Sequence, residues 1–225
     1  MKLSVIIPVY NEKDCILLLL DKVRATPYPK EIIIVDDCSQ DGTREILKGI
    51  KEDGIRVLYH SHNQGKGAAI RTGLEQVTGD IVLFQDADLE YDPKDFRSLI
   101  EPIVEGKAEA VFGSRFQKNN NWKYRKLYWA NKLFTFLTNL LYGASLSDMG
   151  AGYKAFRVDV LKSIKIVSNH FDIDPELAAK MLKGKRKLIE VPISYRGRAY
   201  EEGKKIHWQD GFRVINTLIK FRFVS

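Results

Sequence analysis

This 225-residue sequence contains only two cysteines and no long apolar run. Cys15 and Cys38 lack the CxxC spacing and the neighbouring histidines of a metal or redox site, so we expect reduced thiols. No apolar run approaches the ~20 residues that span a bilayer. The start, MKLSVIIPVY, enters a strand without a cleavable signal pattern. We therefore expect a cytoplasmic protein.

Acidic residues are scarce in two long stretches. Residues 183–225 carry eleven Lys or Arg against four Asp or Glu, which equals the whole net charge of +7. Residues 115–147 carry six basic residues and no acid. Charge of one sign concentrated in this way requires an anionic partner, which can be nucleic acid, a phosphorylated substrate or an anionic membrane surface.

Strand and helix patterns alternate through the first 115 residues. This alternation predicts an α/β fold with a doubly wound, mostly parallel sheet and helices on both faces, followed by an irregular later half. We expect one domain over residues 1–225, because 44% hydrophobic residues can bury one core. The predicted strands are 3–9, 31–35, 55–60, 80–84, 108–113 and 188–193, and the predicted helices are 14–26, 43–51, 68–77, 93–105, 124–142, 175–182 and 208–223.

Three carboxylates follow the fourth predicted strand. The run IVLFQDADLEY places Asp86, Asp88 and Glu90 at the carboxyl end of an apolar strand, where ligands of parallel sheets bind. Carboxylates suit Mg²⁺ or Mn²⁺, and such a cation usually also binds substrate phosphates. The pattern predicts a metal-diphosphate site, although it is also typical of a solvated acidic turn.

Polar residues also follow the first three predicted strands. In PVYNE, Tyr10 can stack on a nucleobase, or the segment is simply a turn that ends a strand. In VDDCSQDGT, Asp37 can accept hydrogen bonds from a base or ribose. NQGKGAAIRTG is glycine-rich and basic, so it could approach a phosphate, but it lacks P-loop spacing. No GxGxxG follows the first strand, which argues against a dinucleotide dehydrogenase.

In their order along the chain, these motifs resemble glycosyltransferase family 2, whose nucleotide-sugar-binding fold is called GT-A. FGSRF, SDMGAGYKAFR and EVPISYRGRAYEEGKK resemble the polyprenyl- and dolichyl-phosphate sugar synthase branch of that family. The resemblance covers nearly the whole chain. It implies a nucleotide-sugar-binding half over residues 1–115, an acceptor half over residues 116–206, and a basic amphipathic C-terminal helix over residues 207–225.

The resemblance also implies roles for individual residues. Catalytic roles fall to Asp88, Arg115 and Arg198. The metal, Mg²⁺ or Mn²⁺, would be held by Asp86, Asp88 and Glu90. The nucleotide sugar would be bound by Pro8, Tyr10, Glu12, Val35, Asp37, Asp86, Ala87, Asp88, Arg115, Arg198 and Lys204.

The expected reaction is an inverting transfer of a hexose from a GDP-mannose or UDP-glucose type donor to a polyprenyl phosphate. A phosphate acceptor needs no general base, because its second pKa is about 6 and it is mostly dianionic at neutral pH. Its site should instead be rich in Arg and Lys. We expect Arg125, Arg196 and Lys205 to contact the acceptor phosphate.

Three other functions remain open at this point. A family 2 transferase acting on a saccharide or protein hydroxyl would need a general base. Candidates for this base are Asp148, Asp172 and Asp174. Two of them also have a structural interpretation, because Asp148 precedes a glycine-rich turn and Asp174 has the position of a helix N-cap. A nucleic-acid-binding module would explain the basic tail but leave the acidic run repelling its ligand. A catalytically silent nucleotide-sugar binder would bind donor without turnover.

The segment WKYRKLYWANKLFTFLTNLLYG mixes aromatic and basic residues without an acid. This composition suits a membrane interface, although helical apolar spacing is also typical of a helix packed on a sheet. The basic tail helix is a second candidate for contact with anionic lipid. We expect a peripheral protein at the cytoplasmic face of the membrane, with no nucleic-acid partner and with a membrane protein as one means of recruitment.

Overall fold

The described part of the chain contains one mixed sheet of seven strands. A computed structural model describes residues 1–118, 120, 124–198 and 208–224. The strands lie in the order β3-β2-β1-β4-β6-β5-β7. They are β1 (Leu3–Val9), β2 (Lys30–Asp36), β3 (Ile55–Tyr59), β4 (Ile81–Phe84), β5 (Ala110–Ser114), β6 (Lys154–Arg157) and β7 (Leu188–Pro192).

Parallel pairing brings the ends of three strands to one edge of the sheet. β1 pairs in parallel with β2 and β4, with Val9 opposite Asp36 and Ile6 opposite Phe84. The loops that follow these strands therefore meet at one edge, as the sequence predicted. The α/β fold with a mostly parallel sheet is confirmed.

β6 was not predicted. It has only four residues and runs antiparallel to both β4 and β5, with Lys154 opposite Phe84 and Phe112. An antiparallel strand begins where its neighbours end. The segment before β6, residues 148–153, is therefore brought to the same edge as the loops after β1, β2 and β4.

Eight helices of the described residues cover both faces of the sheet. One apolar cluster contains Leu20 of α1, Phe96 of α4 and Tyr153, and the other contains Ile70 of α3 and Leu177 of α7. Burial of side chains of this size contributes roughly 1.5–3 kcal/mol each. The helices are α1 (Ile16–Arg24), α2 (Thr43–Lys48), α3 (Lys66–Leu74), α4 (Phe96–Val104), α5 (Arg125–Tyr142), α6 (Val158–Lys162), α7 (Ile173–Lys183) and α8 (Trp208–Phe223).

The predicted N-cap role of Asp174 is wrong. Helix α7 begins at Ile173, two residues before the predicted start, so that Asp174 lies inside the first turn. Its Oδ1 instead lies 2.5 Å from the Nζ of Lys154, a lysine with no exposed surface. A buried cation needs a counter-charge, and this requirement accounts for the carboxylate at position 174.

Candidate active site

A cavity of about 870 Å³ lies at the carboxyl ends of β1, β2 and β4. On one side it is bounded by the loops after these strands, and on the other by α5, α8 and residues 148–153. Most of the predicted site residues lie together on its surface. They are Pro8, Tyr10, Glu12, Asp37, Asp86, Ala87, Asp88, Glu90, Arg115 and Arg198.

Each of the three strand-end loops contains a non-glycine residue in the left-handed backbone region. These residues are Asn11 after β1, Cys38 after β2 and Leu89 after β4, with φ angles of 50°, 65° and 59°. This conformation is uncommon outside glycine and is typical of tight functional turns. At Leu89 it folds the loop back, so that the Glu90 backbone N–H donates to Asp88 Oδ1 at 3.0 Å.

Asp86 is paired with a lysine that was not assigned a role from the sequence. The Nζ of Lys66, the first residue of α3, lies 2.6 Å from Asp86 Oδ1, and both side chains are largely buried. Burial alone would lower the pKa of Lys66, but the charges of Asp86, Asp174 and Asp88 outweigh it and raise that pKa. From the sequence, the segment NQGKGAAIRTG was interpreted only as a glycine-rich, basic stretch that could approach a phosphate, without a role for Lys66 itself.

Gly152 makes room for this pair. A β-carbon at Gly152 would overlap Asp86 Oδ2 and lie 2.9 Å from Lys66 Nζ. Even alanine at this position would therefore displace the carboxylate or the ammonium.

Asp88 lies close to two other carboxylates, so that negative charge is in excess around it. Burial, followed by the charges of Asp86 and Glu90, raises the pKa of Asp88 above its usual range. Such a group is stabilised by an added cation, and carboxylate oxygens are the ligands that Mg²⁺ and Mn²⁺ prefer. Across the described residues, however, no three Asp, Glu, His or Cys side chains are grouped so that they could hold a metal ion by themselves. The predicted set of Asp86, Asp88 and Glu90 could hold a cation only together with ligands from a bound substrate or water.

Arg198 and Glu12 form a paired group at the mouth of the cavity. The Arg198 guanidinium donates to both carboxylate oxygens of Glu12, at 3.1 and 2.7 Å. Its backbone N–H donates to Glu90 Oε1 at 2.6 Å. Arg198 thus joins the loop after β1 to the loop after β4.

Arg115 forms a buried clamp rather than an open cationic surface. Its Nε and Nη2 donate to the two carboxylate oxygens of Asp148, at 2.7 and 2.8 Å, and Nη2 also donates to Asn131 of α5 at 3.0 Å. Asp148 is fully buried, and its backbone N–H donates to Glu190. The structural interpretation of Asp148 agrees with these contacts.

Asp37 is held by contacts from the segment between β3 and α3. Its Oδ1 accepts from the Gln64 backbone N–H at 2.8 Å and lies 2.7 Å from His60 Nδ1, and its Oδ2 accepts from the Gly65 N–H at 2.7 Å. Because a carboxylate only accepts, His60 carries the proton on Nδ1. The other ring nitrogen, Nε2, lies 3.0 Å from Thr72 Oγ1. Sequence reasoning gave His60 no role.

The remaining predicted residues lie elsewhere. The Val35 side chain is fully buried in the core, and Arg125 and Arg196 are exposed and do not line the cavity. Lys204 and Lys205 fall outside the described residues. Lys126, next to Arg125, does line the cavity.

Helices α5 and α8 provide an apolar wall of the cavity, which consists of Leu127, Ala130, Phe134 and Val214. The outer side of α5 carries an exposed stripe of four large apolar side chains, each between 53% and 69% exposed. Their spacing of three or four residues places them along one helix face. The exposed stripe consists of Trp129, Leu133, Phe136 and Leu140.

The exposures along α5 bear on its two predicted roles, a membrane interface and a helix packed against the protein. Thr135 and Thr138 on its inner side are buried, so one face does pack against the protein, while the stripe remains open. Within the described residues, no helix combines the length and apolar composition needed to cross a bilayer.

Comparison with known proteins identifies the family. Residues 4–165 match Glycosyl transferase family 2. The undecaprenyl-phosphate mannosyltransferase of Micrococcus luteus is 29% identical over 231 residues, covering 96% of this chain and 93% of the relative. The dodecaprenyl-phosphate galacturonate synthase of Rhizobium johnstonii is 28% identical over 233 residues, covering 99% of this chain and 67% of the relative.

Solved structures share the fold. Glucosyl-3-phosphoglycerate synthase from Mycobacterium tuberculosis, crystallised with Mn²⁺, UDP and phosphoglyceric acid, superposes with a TM-score of 0.75 at 20% identity, covering 100% of this chain and 79% of that chain. Mannosyl-3-phosphoglycerate synthase from Rubrobacter xylanophilus gives 0.77 at 20% identity, covering 98% and 73%. Because the family match spans well over half of the sequence, the chain belongs to glycosyltransferase family 2 and is a glycosyltransferase with the GT-A fold.

Proposed function

We propose that this glycosyltransferase moves a hexose from a nucleotide-diphosphate sugar to a polyprenyl phosphate at a membrane surface. One observation carries the proposal: a single cavity joins the acidic strand-end loops to the apolar wall of α5 and α8, and α5 carries the exposed stripe on its outer side. A polar donor and a lipid acceptor can meet in such a cavity. The names of the Micrococcus and Rhizobium relatives support a lipid phosphate acceptor.

The donor is assigned to the loops after β1, β2 and β4. Tyr10 offers a ring to the nucleobase, and Asp37 a carboxylate that its neighbours hold in place. Asp86, Asp88 and Glu90 would hold Mg²⁺ or Mn²⁺ together with the diphosphate. The bound cation would stabilise the negative charge that develops on the leaving nucleotide.

The acceptor needs no general base from the protein. The three candidate bases are already engaged: Asp148 by Arg115, Asp174 by Lys154, and Asp172 by the His170 backbone N–H at 3.0 Å. A dianionic phosphate can attack the anomeric carbon directly, which inverts its configuration.

Cations at the mouth would orient the attacking phosphate. Arg198 lines the cavity, and Lys126 lies beside the apolar wall. Arg125 and Arg196 are exposed near these positions in the sequence, and they remain proposed phosphate contacts together with Lys205. On this proposal residues 1–115 bind the donor and residues 116–206 bind the acceptor, while the basic C-terminal residues 207–225 add to the membrane contact made by the exposed stripe.

Contact with the membrane is assigned to the exposed stripe. Apolar side chains of this size insert at the lipid interface, while neighbouring Lys and Arg side chains approach anionic headgroups. Helix α5 has no acidic residue that would oppose such contact. The protein would then act as a peripheral enzyme at the cytoplasmic face, with or without a membrane-protein partner.

The test is radiolabelled sugar transfer from a panel of UDP- and GDP-sugars to polyprenyl phosphate in detergent with Mg²⁺ or Mn²⁺. We expect labelled lipid that depends on the metal and falls by about 10²–10³ in Asp88→Ala and in Arg198→Ala. Asp53→Ala, at an exposed site outside the cavity, is the control. Donor hydrolysis without lipid product across the panel would contradict the acceptor and favour transfer to a saccharide hydroxyl.

A further inference from the structure

A lysine occupies the position next to Asp86 where a metal cation is also expected. Lys66 Nζ lies 2.6 Å from Asp86 Oδ1, and both residues line the cavity. Two like charges cannot share one carboxylate oxygen at this distance without strong repulsion. The ion pair and a metal bound by Asp86 therefore compete.

The local backbone suits a movement of the Lys66 ammonium. Lys66 follows Gly65, whose φ of +95° turns the chain into α3, and its flexible four-carbon stem reaches Asp86 along the cavity floor. The pair lies directly against Gly152, where no side chain separates it from the cavity that both residues line. An ammonium released from Asp86 thus remains inside the cavity that would contain the donor phosphates.

The neighbouring buried lysine has no such freedom. Lys154 is fully buried, donates to the Ala151 carbonyl oxygen and pairs with Asp174 Oδ1 at 2.5 Å. It lies within the core rather than on the cavity surface. Of these two lysines, Lys154 is therefore held more firmly, and Lys66 is the one that lies against the loop after β4, next to Asp86.

We propose that Lys66 is an internal counter-cation that neutralises Asp86 until donor and metal bind, and that it then moves from Asp86 to the donor diphosphate. The inference deepens the proposed function and rests on its metal-dependent donor. It adds a positioning residue for that donor. The exchange leaves each charge with a partner of opposite sign. The metal replaces the ammonium at Asp86, and the ammonium pairs with the phosphate that arrives with the metal.

Two consequences distinguish this role from a purely structural ion pair. Metal alone should bind weakly to the wild-type protein, because it must displace Lys66 without a phosphate to receive the ammonium. Metal and nucleoside diphosphate together should bind much more tightly than either alone. Removal of the Lys66 charge should therefore strengthen the binding of metal alone and weaken its coupling to the nucleotide.

The experiment measures Mn²⁺ binding by the loss of the free-ion EPR signal, without nucleotide and with UDP or GDP. In Lys66→Met we expect Mn²⁺ alone to bind on the order of tenfold more tightly, and nucleotide with Mn²⁺ on the order of tenfold more weakly, than in the wild-type protein. Lys66→Arg should retain weak Mn²⁺ binding because it keeps the charge. Lys48→Met, at an exposed position on α2, should match the wild type.

A measurement on the wild-type protein covers the case in which Lys66→Met does not fold. With ¹³C-labelled lysine, the Lys66 Cε resonance, assigned by its loss in Lys66→Arg, should shift when Mg²⁺ and nucleoside diphosphate are added together. A resonance that does not move while the nucleotide binds would overturn the inference, as would unchanged or weaker Mn²⁺ binding in Lys66→Met. A wild-type protein that binds no nucleoside diphosphate with Mn²⁺ would instead overturn the proposed function. Even in that case, tighter Mn²⁺ binding by Lys66→Met would support competition between Lys66 and the metal at Asp86.

Discussion

The two sides of the cavity differ in how their charges are neutralised. On the side of the strand ends, the carboxylates have partners within the protein, as in the pairs of Asp86 with Lys66 and of Glu12 with Arg198. On the helical side, α5 has basic residues, no acid, and the exposed stripe of apolar side chains. On the first side most charges are paired inside the protein and Asp88 retains excess negative charge, whereas the second side exposes groups that another surface can cover.

This contrast separates preorganisation from recruitment. Contacts such as those of Glu12 with Arg198 and of Asp37 with the Gln64 and Gly65 backbone fix part of the donor side before any substrate arrives, which reduces the reorganisation that binding requires. Exposed apolar and basic groups are instead stabilised when lipid covers them. The comparison predicts that removal of an internally paired charge will affect stability, while substitutions on the exposed stripe will affect membrane binding alone.

The largest effect is expected at Arg115. Arg115→Met leaves the Asp148 carboxylate buried without its bidentate partner, and such a loss costs about 3–5 kcal/mol of unfolding free energy. Urea denaturation measures it. The double variant Arg115→Met/Asp148→Leu should recover most of the loss, because it removes both charges. A stable Arg115→Met that has lost transfer activity would show that Arg115 acts on substrate and not as a clamp.

A smaller effect is expected at Glu31, on β2. Ser4, Thr78 and Lys2 donate to its carboxylate, and these hydrogen bonds outweigh the opposing effect of burial and lower the pKa of Glu31 from 4.5 to about 2. We expect Glu31→Gln to lose about 2 kcal/mol at neutral pH, because buried hydrogen-bond donors lose an ionised acceptor.

The pH dependence of that loss has a definite sign. A depressed folded-state pKa stabilises the protein fully above the unfolded value and less as the pH falls. The difference between wild type and Glu31→Gln should therefore be constant above about pH 5 and shrink between pH 4.5 and 2. Denaturation curves at several pH values measure it. A difference that grew on acidification would contradict the assigned contacts.

The smallest effect is expected on the exposed stripe. Phe136→Ser should weaken binding to anionic vesicles about tenfold, the equivalent of about 1.4 kcal/mol of apolar burial. Its unfolding free energy should change by less than about 0.5 kcal/mol. Co-sedimentation with vesicles measures the first quantity. Leu18→Ser, at a comparably exposed position on α1, is the control, and equal weakening in both variants would remove the stripe as the contact surface.

Sequence patterns predicted what depends on local periodicity. The β-branched runs located β1 to β4, and the positions of Asp37 and Asp88 after strands placed both on one cavity. Pairings between distant segments were not predictable in this way. Lys66 and Asp86 meet only because β1 brings α3 and β4 together, and no spacing rule indicates which carboxylate a lysine will meet.

Strand β6 escaped prediction for a related reason. Its four residues, KAFR, are too few for an alternating pattern, and glycines precede it. Lys154 can be buried because it pairs with Asp174 in a different element. From the sequence alone, a lysine is not typical of a buried strand. Local propensity was overridden here by tertiary pairing.

The pairing of β5 with β6 has a consequence for how this scaffold can diversify. The chain leaves the sheet after Ser114 and returns at Lys154, which pairs with Phe112 on the adjacent strand, so the two ends of this excursion are ~4.8 Å apart across the sheet and two residues apart along it. The part of this excursion that contains α5 can be lengthened or exchanged while the register of β1, β2 and β4 and the positions of Arg115 and Gly152 stay fixed. A new acceptor can therefore be acquired by exchanging one continuous segment, without rebuilding the donor site.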